Sequence, residues 1–471
     1  MIPVETLFLP ARTLGEMIRA RRLDPVELAE AYLARLETIG PRLNAVVTVT
    51  RERGLAEARH AKAEIAAGRW RGPLHGVPYG VKDLIAAQGY RTTWGAQPYR
   101  EQEFPDDATV VARLRDAGAV LVAKLASVEL AGGLGYRQPD ASFTGPGRTP
   151  WNPEFWSGGS SSGPGAATAA GLVAFALGTE TSGSIVTPAA FCGVTGLRPT
   201  YGRVSRHGAM ALSWTLDKVG PICRSADDAA LVLSVIAGLD PADGGSADRP
   251  FSDRTASRSA RRMRIGVLKG NAEGSQPEVR RNFDAALEAL GGAVEVVRDV
   301  EMPKFPYGAA LGTVLSAEAA SIFEELVESG HVAELAAPED RTGGYAGQVV
   351  LAKDYLRAMR IRVPAAVAVD RMFVDGGFDA LAAPTRGTVS YPLGKSFNAA
   401  YPDVRGGGEP IIGAANLVGL PGIALPNGFG ASGLPTSILF TGRAWDEDKL
   451  VALGRLYQSR TDWHKRRPPV S

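Results

Sequence analysis

The chain has 471 residues, of which 45% are hydrophobic and 22% are charged, and its 52 Lys and Arg residues nearly balance 50 Asp and Glu residues. A net charge of +2 excludes an acidic tail protein and argues against a strongly basic nucleic-acid binder. Two cysteines, with no CxxC or HExxH spacing, argue against a disulfide scaffold and a structural zinc site.

The first 68 residues have the pattern of a helical segment. Thr13 and Glu16 have the spacing of a capping box, which predicts a helix start at Thr13. Asp24 and Pro25 predict a second helix start, with Asp24 as the N-cap and the proline in the first turn. We therefore expect at least two helices ahead of the first strand.

Strand and helix patterns alternate along the rest of the chain, which predicts an α/β fold in which helices cover a β-sheet. Asp107 and Ser225 are the predicted N-caps of two of the helices. Strands are predicted at 44–50, 77–81, 119–123, 264–268, 379–383 and 422–426. Helices are predicted at 55–67, 107–116, 226–238, 277–290, 316–329 and 347–374.

Residues 241–262 are polar and rich in Gly, Pro and Ser, and they lack an apolar period, so they predict a loop. We interpret its basic end as a solvated surface and not as a nucleic-acid contact. We expect a single domain over 1–471, without internal repeats. In it, 69–240 is the predicted catalytic core and 263–471 completes the sheet and the substrate pocket.

No segment has the pattern of a membrane span. The longest apolar stretch, 166–177, is shorter than the ~20 residues that a membrane-spanning helix needs. The first residues lack the basic-then-apolar order of a signal peptide. We therefore expect a cytoplasmic protein that does not bind membranes.

A Gly- and Ser-rich segment over 156–205 carries the strongest functional signal, and two interpretations of it are weak. A phosphate-binding loop is disfavoured because no GxxxxGK[ST] motif occurs. Residues 159–163 match GxSxG, which would make Ser161 the nucleophile of an α/β-hydrolase. However, the proline-containing stretch before it is not a central strand, and the late histidines, His331 and His464, have the context of surface residues.

The third interpretation combines serines with a lysine. The consecutive amides of residues 181–184 are able to form an anion-binding nest. Lys82 lies in the apolar stretch 74–86, where burial lowers the pKa of a lysine from about 10.4 towards neutrality. A neutral lysine is a competent base for a serine nucleophile.

Several long motifs together resemble the amidase signature family, whose Ser–cis-Ser–Lys triad hydrolyses amide bonds. The resemblance implies the fold of that family, a mixed β-sheet covered by helices on both faces (an α/β/α sandwich). The motifs are GPLHGVPYGVKDL at 72–84, GGSSSG at 158–163, TETSGSI at 179–185, PAAFCGVTGLRPTYGRVS at 188–205, PGIALP at 421–426 and TDWHKRRP at 461–468.

Carried over to this chain, the resemblance implies that Ser184 is the nucleophile, Ser160 the bridging serine and Lys82 the base. Ser161 then supports the hydrogen-bond network, and the peptide bond between Gly159 and Ser160 is predicted to be cis. The oxyanion hole is assigned to the backbone amides of Thr181, Ser182, Gly183 and Ser184.

The chain also departs from the form D-x-G-G-S-I-R that is common in the family. Glu180, Ser182 and Val186 replace the Asp, the first Gly and the Arg, so the local side-chain network must differ. We therefore place the chain nearer to stand-alone amidases. The alternative is the glutaminase subunit of a tRNA-dependent amidotransferase. A non-catalytic binding protein is disfavoured, because the three triad positions are intact.

Other residues near the motifs are interpreted as structural. Cys192 is expected to be a core residue and not a nitrilase-like nucleophile, and Ser162 a turn or capping serine. His75 and His207 are expected to make structural hydrogen bonds. Four tryptophans near the motifs are candidates for a pocket wall, although any one of them is more often a core residue: Trp94, Trp151, Trp156 and Trp214.

The predicted substrate is a small molecule. We expect the pocket walls in residues 130–136, in 206–214 and in the stretch after Pro384, where no charged clamp is apparent. This favours a neutral or aryl amide, an ester or a carbamate. The expected protein is a monomer or homodimer that uses no cofactor or metal and binds no nucleic acid.

Overall fold

The computed structural model describes residues 2–253, 262–404 and 409–470, and eleven strands of these ranges form one mixed β-sheet. The strand order is β1-β3-β2-β4-β6-β5-β10-β11-β9-β7-β8. Strands β2, β3 and β4 are parallel, as are β7, β8 and β9, and the other neighbours are antiparallel. The strands are β1 (Val46–Val49), β2 (Pro78–Lys82), β3 (Val120–Leu125), β4 (Phe175–Glu180), β5 (Thr195–Arg198), β6 (Lys218–Cys223), β7 (Met263–Leu268), β8 (Val294–Val300), β9 (Ala380–Pro384), β10 (Gly422–Phe429) and β11 (Pro435–Thr441).

Fifteen α-helices of the described ranges surround this sheet. They are α1 (Ala11–Arg19), α2 (Pro25–Thr38), α3 (Arg51–Ala66), α4 (Thr109–Asp116), α5 (Ser162–Ala169), α6 (Val186–Cys192), α7 (Ala226–Ile236), α8 (Pro277–Ala289), α9 (Tyr307–Ile322), α10 (Glu324–Glu328), α11 (Pro338–Gln348), α12 (Ala352–Gly376), α13 (Phe397–Ala400), α14 (Glu409–Val418) and α15 (Glu447–Arg460). None of them is long and apolar enough to cross a membrane.

Helices cover both faces of the sheet. Side chains of a strand alternate between its two faces, and along β3 Val120 and Val122 belong to one apolar core while Leu121 belongs to the other. Helices α1, α4, α7, α8 and α15 contribute to the core that contains Leu121, and α5, α6, α12 and α14 to the opposite core, while α2 contributes to both. The predicted α/β/α fold with a mixed sheet is therefore confirmed.

The helix starts show which capping predictions hold. The Asp24 carboxylate accepts hydrogen bonds from the amides of Val26 and Glu27 at the start of α2, as predicted. The capping box at Thr13 is wrong, because α1 begins at Ala11. A distant carboxylate takes that role, since Asp228 accepts from the Ala11 amide at 3.0 Å.

The predicted cap at Asp107 is also wrong. Helix α4 begins at Thr109, and the Asp107 carboxylate instead binds the Arg53 guanidinium at 2.7 and 2.8 Å. The cap at Ser225 is confirmed, since its side chain accepts from the Asp228 amide at 3.1 Å. Within the predicted loop, residues 241–253 form no helix or strand, and 254–261 lie outside the described residues.

The sheet brings two functional segments to one edge. Lys82 is the last residue of β2, and Glu180 is the last residue of the neighbouring parallel strand β4. Because parallel strands end at the same edge, the loop that follows Glu180 begins close to Lys82. Helix α5, which starts at Ser162, brings the Ser-rich turn before it to the same place.

Candidate active site

Lys82 is fully buried and bound to two hydroxyl groups. Its Nζ lies 2.7 Å from Ser160 Oγ and 2.9 Å from Thr179 Oγ1. Burial lowers the pKa of Lys82 from its ordinary value of 10.5 to about 7, although the carboxylates of Asp217 and Glu180 act to raise it. The Lys82 amine therefore lies within hydrogen-bond distance of the Ser160 hydroxyl, and its lowered pKa allows proton exchange near neutral pH.

The turn before α5 holds Ser160 against this lysine. The Gly159–Ser160 peptide bond is cis, which confirms the prediction. A Cβ atom on Gly159 would lie 2.6 Å from Cζ2 of Trp156, closer than real contacts allow. Gly158 has a φ of +85°, a conformation that glycine adopts readily. The two glycines therefore permit the close packing that surrounds Ser160.

Ser161 and Ser162 have structural partners. The buried Ser161 hydroxyl donates to the Thr179 carbonyl at 3.2 Å and accepts from the Thr179 amide at 3.3 Å. The Ser161 amide donates to the Ser184 carbonyl at 3.3 Å, which joins the two serine segments. The Ser162 hydroxyl donates to the Ala126 carbonyl at 3.2 Å. Ser161 therefore has the surroundings of a supporting residue and lacks the histidine partner that the GxSxG interpretation needs.

Ser184 lies in the loop between β4 and α6 and lines a cavity. Gly183, with a φ of +98°, turns the chain just before it. The amides of Ser182, Gly183 and Ser184 donate no hydrogen bond to another described residue. The Ser182 side chain itself is exposed. The loop thus offers free backbone donors at Ser184 and at the two residues before it.

The Glu180 carboxylate holds this loop in place through buried hydrogen bonds. Its Oε2 accepts from the amides of Ile185 and Val186 at 2.9 and 3.1 Å. Its Oε1 accepts from Arg198 at 2.8 Å and from Asn416 at 3.0 Å. Burial alone would raise the pKa of Glu180, but Arg198 and other cations lower it to about 2. Glu180, one of the positions at which the chain departs from the family motif, is therefore held by an arginine, an asparagine and two backbone amides.

Asp217 holds the other end of the loop. Its carboxylate accepts from the Thr181 hydroxyl at 2.5 Å and from the amides of Leu212 and Ser213 at 2.7 and 2.9 Å. Neither Asp217 nor the lysine partner Thr179 was a predicted site residue. Thr179 is the first residue of the motif at 179–185, whereas Asp217 lies outside the motifs, and no local pattern marks the contacts of either residue.

The cavity above Ser184 has a volume of about 560 Å³. All three predicted wall segments contribute to it, together with residues of α6 and α9. Of the four candidate tryptophans, Trp156 lines the cavity, whereas Trp94, Trp151 and Trp214 do not. Its lining residues are Ala131, Gly132, Tyr136, Trp156, Gly159, Thr181, Ser182, Ser184, Thr187, Leu212, Leu315, Arg386, Gly387, Thr388, Tyr391, Phe397, Asn398, Tyr401, Pro402 and Val404.

Two properties of this wall stand out. Its aromatic side chains pack on one another, with the Trp156 and Phe397 rings stacked at 5.0 Å. The wall also contains Arg386, which corrects the expectation of an uncharged pocket. A single arginine in a loop has no pattern in the sequence that distinguishes it from a surface residue.

The remaining candidates lie in structural positions. Cys192 is buried outside the cavity, its Sγ lies 3.3 Å from the Ser157 carbonyl, and burial raises the pKa of its thiol. His75 is buried and accepts from the Arg71 amide. Within the described ranges, no group of three or more His, Cys, Asp or Glu side chains is arranged to hold a metal ion.

Comparison with known proteins agrees with this geometry. The family model described as Amidase matches residues 27–451. The chain is 38% identical to the A-type subunit of glutamyl-tRNA(Gln) amidotransferase from Roseiflexus sp. (strain RS-1), over 97% of each chain. Among solved structures, it is similar to the peptide amidase from Stenotrophomonas maltophilia, with 34% identity, a TM-score of 0.84 and 98% of each chain covered. It also resembles the A-type subunit of glutamyl-tRNA(Gln) amidotransferase from Thermotoga maritima, with 27% identity, a TM-score of 0.79, and 98% of this chain and 97% of that chain covered.

Proposed function

The chain belongs to the amidase family, and on that premise we propose that it hydrolyses the C–N bond of amides through an acyl-enzyme on Ser184. The observation that carries the proposal is the buried contact of 2.7 Å between Lys82 Nζ and Ser160 Oγ, next in the chain to Gly159, which lines the same cavity as Ser184. Burial keeps a large fraction of Lys82 neutral near pH 7, as a base requires.

In the proposed mechanism, neutral Lys82 accepts the proton of Ser160, and Ser160 accepts the proton of Ser184. The Ser184 oxygen attacks the carbonyl carbon of the amide. The negative charge on the carbonyl oxygen is then stabilised by the backbone amides of residues 181–184. Removing one such donor typically costs ~10²–10³ in rate.

The same relay completes the reaction in reverse. The proton returns through Ser160 to the nitrogen of the leaving amine, and the C–N bond breaks. Water, deprotonated by the same pair, then attacks the acyl group on Ser184 and releases the acid. Esters and carbamates follow the same course, since both present a carbonyl carbon with a leaving group.

The experiment that tests this proposal is Ser184→Ala, with Ser162→Ala as the matched control, because among the described residues the Ser162 hydroxyl hydrogen-bonds the Ala126 carbonyl alone. Release of amine is measured from primary amides, anilides, carbamates and glutamine. Ser184→Ala is expected to lose activity by at least about 10³-fold, and Ser162→Ala to retain it. Full activity in Ser184→Ala would refute the mechanism. A sulfonyl fluoride that labels Ser161 would restore the GxSxG interpretation.

Two roles share this chemistry. The first is a stand-alone amidase, for which the likeness to a peptide amidase gives support. Its proposed substrates are aryl amides, esters and carbamates. The second is the glutaminase subunit of a tRNA-dependent amidotransferase. The curated relatives favour the second role over the first, since they are A-type amidotransferase subunits over nearly the whole chain.

The roles differ in what the purified chain does alone. A stand-alone amidase releases amine from anilides and carbamates without a partner. An amidotransferase subunit is expected to hydrolyse glutamine poorly alone and to copurify with other subunits. Activity of the isolated chain on the amide panel, measured beside a pull-down from its native host, separates the two roles.

A further inference from the structure

The cavity over Ser184 has a charged side chain in its wall. Among the lining residues that the structure describes, Arg386 alone carries a formal charge, and none is Asp or Glu. Arg386 is partly buried and has an interaction of its own within the protein. Its guanidinium has five N–H donors in a planar fork, so it is able to bind a ligand in the cavity as well. The described wall is therefore positively charged.

Two further hydrogen-bond donors of this wall are buried without a partner. The Thr388 hydroxyl and the Trp156 indole N–H make no hydrogen bond with a described residue, although the two residues are only 8% and 3% exposed. Both residues line the cavity. Buried polar groups are nearly always hydrogen-bonded, because an unpaired one is costly. An indole N–H only donates, so the partner that Trp156 lacks is an acceptor.

The three donors lie on one side of the cavity. The chain that follows Arg386 contains Thr388 and then runs beside Trp156, whose amide donates to the Tyr391 carbonyl at 2.9 Å. Tyr136 connects the other end, since its ring lies 6.2 Å from that of Trp156. The charge of Arg386 acts to lower the pKa of the Tyr136 hydroxyl, so these two groups are neighbours. We call Arg386, Thr388 and Trp156 the donor cluster.

A carboxylate is the ligand group that fits the donor cluster. Its two oxygens accept several hydrogen bonds, and it pairs with a guanidinium through two parallel contacts. An ammonium group needs an acceptor of opposite charge, which the described lining lacks. Asp340 also acts on Tyr136, but burial and the neighbouring Glu129 raise the pKa of Asp340. That shift favours the neutral form of Asp340, which then cancels little of the Arg386 charge.

From these observations we propose that the substrate is an amide that also carries a carboxylate, and that the donor cluster binds this carboxylate while Ser184 attacks the amide carbonyl. The inference rests on the proposed function, because it assigns the scissile amide to Ser184. It narrows the substrate class, since a neutral amide leaves the donor cluster unpaired. It also makes glutamine, which carries an ammonium group, a weaker ligand than glutaramate, the same molecule without that group.

Binding measured without turnover tests the proposal. Isothermal titration calorimetry on Ser184→Ala compares glutaramate with pentanamide, in which a methyl group replaces the carboxylate. A second pair, N-acetyl-β-alanine and N-propylacetamide, places the carboxylate on the amine side of the amide. The carboxylate is expected to tighten binding by at least about tenfold in one of the pairs, as charge-assisted hydrogen bonds do. The pair that responds identifies the side of the amide that carries the carboxylate, and no preference in either pair would overturn the proposal.

Substitution of Arg386 shows whether the donor cluster causes the preference. In the Ser184→Ala protein, Arg386→Met should abolish the preference for the carboxylate. Arg386→Lys should keep part of it, because the charge remains without the planar fork. Arg137→Met is the matched control at an exposed arginine that is not among the lining residues, and it should keep the full preference. A preference that survives Arg386→Met would contradict the assignment.

The neighbouring hydroxyl supplies a second variant, which decides the question if Arg386→Met fails to fold, as judged by circular dichroism. Thr388→Val keeps the shape of the side chain and removes the donor. It should weaken binding of the preferred carboxylate about threefold and leave its neutral counterpart unchanged. Equal binding of the carboxylate to Thr388→Val and to the parent protein would then overturn the proposal.

Glutamine and the activity assay separate this inference from the proposed function. Glutamine that binds Ser184→Ala as tightly as glutaramate does would contradict the exclusion of an ammonium group. Absence of a carboxylate preference in an inactive Ser184→Ala protein refutes this inference alone. An active Ser184→Ala protein refutes the proposed function, whatever the titrations show.

Discussion

Replacing the buried lysine by an apolar residue of similar length tests the central electrostatic feature of the site. In Lys82→Met the amine disappears, while most of the chain volume remains. The wild-type amine has a pKa of about 7 in the folded protein and 10.5 as its ordinary value. The folded state therefore gives up this proton more readily than the unfolded state does.

The sign of the effect on stability follows from that order. Above pH 10.5 the amine is neutral in both states, and its titration does not affect the free energy of unfolding. As the pH falls towards 7, the unfolded chain gains a proton that the folded protein does not, so the wild type loses stability. Below about pH 7 both states are protonated, and the loss is complete.

The magnitude follows from the difference of about 3.5 pKa units. At ~1.36 kcal/mol per unit, the full cost is about 5 kcal/mol. The free energy of unfolding of Lys82→Met, minus that of the wild type, should therefore rise by about 1.4 kcal/mol for each pH unit lowered between pH 9.5 and 7.5. The subtraction removes groups that titrate alike in both proteins.

Urea unfolding at pH 7.5, 8.5 and 9.5 measures this difference. Lys395→Met, at an exposed lysine, is the control and should follow the wild type at each pH. The same titration should govern catalysis, so kcat/KM of the wild type should fall about tenfold per pH unit below about pH 7. A difference in stability that does not vary with pH, together with equal kcat/KM at pH 6 and 8, would refute the assignment of Lys82 as a neutral base.

Three further changes probe the surroundings of the triad. Glu180→Gln leaves the buried Arg198 without a charged partner and should lower the free energy of unfolding by about 3–5 kcal/mol. Urea unfolding measures this difference, and an unchanged free energy would show that the Glu180–Arg198 pair does not hold the loop. Cys192→Ala should retain kcat within about twofold in the amide assay, and a large loss would point to a catalytic thiol. Ser161→Ala should lower kcat, because its hydroxyl supports the segment that carries Ser160. Ser162→Ala should keep kcat and lower the free energy of unfolding by about 1 kcal/mol. Equal effects of the two changes on kcat would contradict separate roles for the two serines.

The sequence predicted helix starts well where the partners are local. Asp24 and Ser225 each bind amides within three residues, so the pattern contains all the participants. The capping box at Thr13 failed because the carboxylate that binds the start of α1 comes from Asp228, 217 residues away. Asp107 failed for the same reason, since Arg53 competes for its carboxylate.

Strand β6 shows why some elements were missed. Its sequence, Lys218–Cys223, contains a charged residue, a glycine and a proline, which disfavour a strand. In the structure it lies between β4 and β5 with all six residues buried. The Lys218 amine is paired with Asn416, nearly 200 residues later, so tertiary contacts override local preference.

The sequence motifs predicted the residues of the candidate site, but they did not predict which side chains contact those residues. Lys82, Ser160 and Ser184 were predicted from a resemblance that spans long motifs, and the structure brings their segments together. Their catalytic roles remain a proposal. The contacts of Thr179 and Asp217 depend on how strands and loops meet in three dimensions, and no spacing along the chain encodes them.

Much of the cavity wall and the proposed base Lys82 occupy different kinds of element, and this separation bears on how the protein could be re-engineered. Lys82 is fixed at the end of a buried strand, whereas much of the wall lies in 386–404 and in 130–136, outside the strands. Loops tolerate substitution better than the elements that they connect. A combinatorial library confined to these two segments should therefore change which amides fit while most of its members keep the chemical step, which makes the chain a practical starting scaffold for directed evolution.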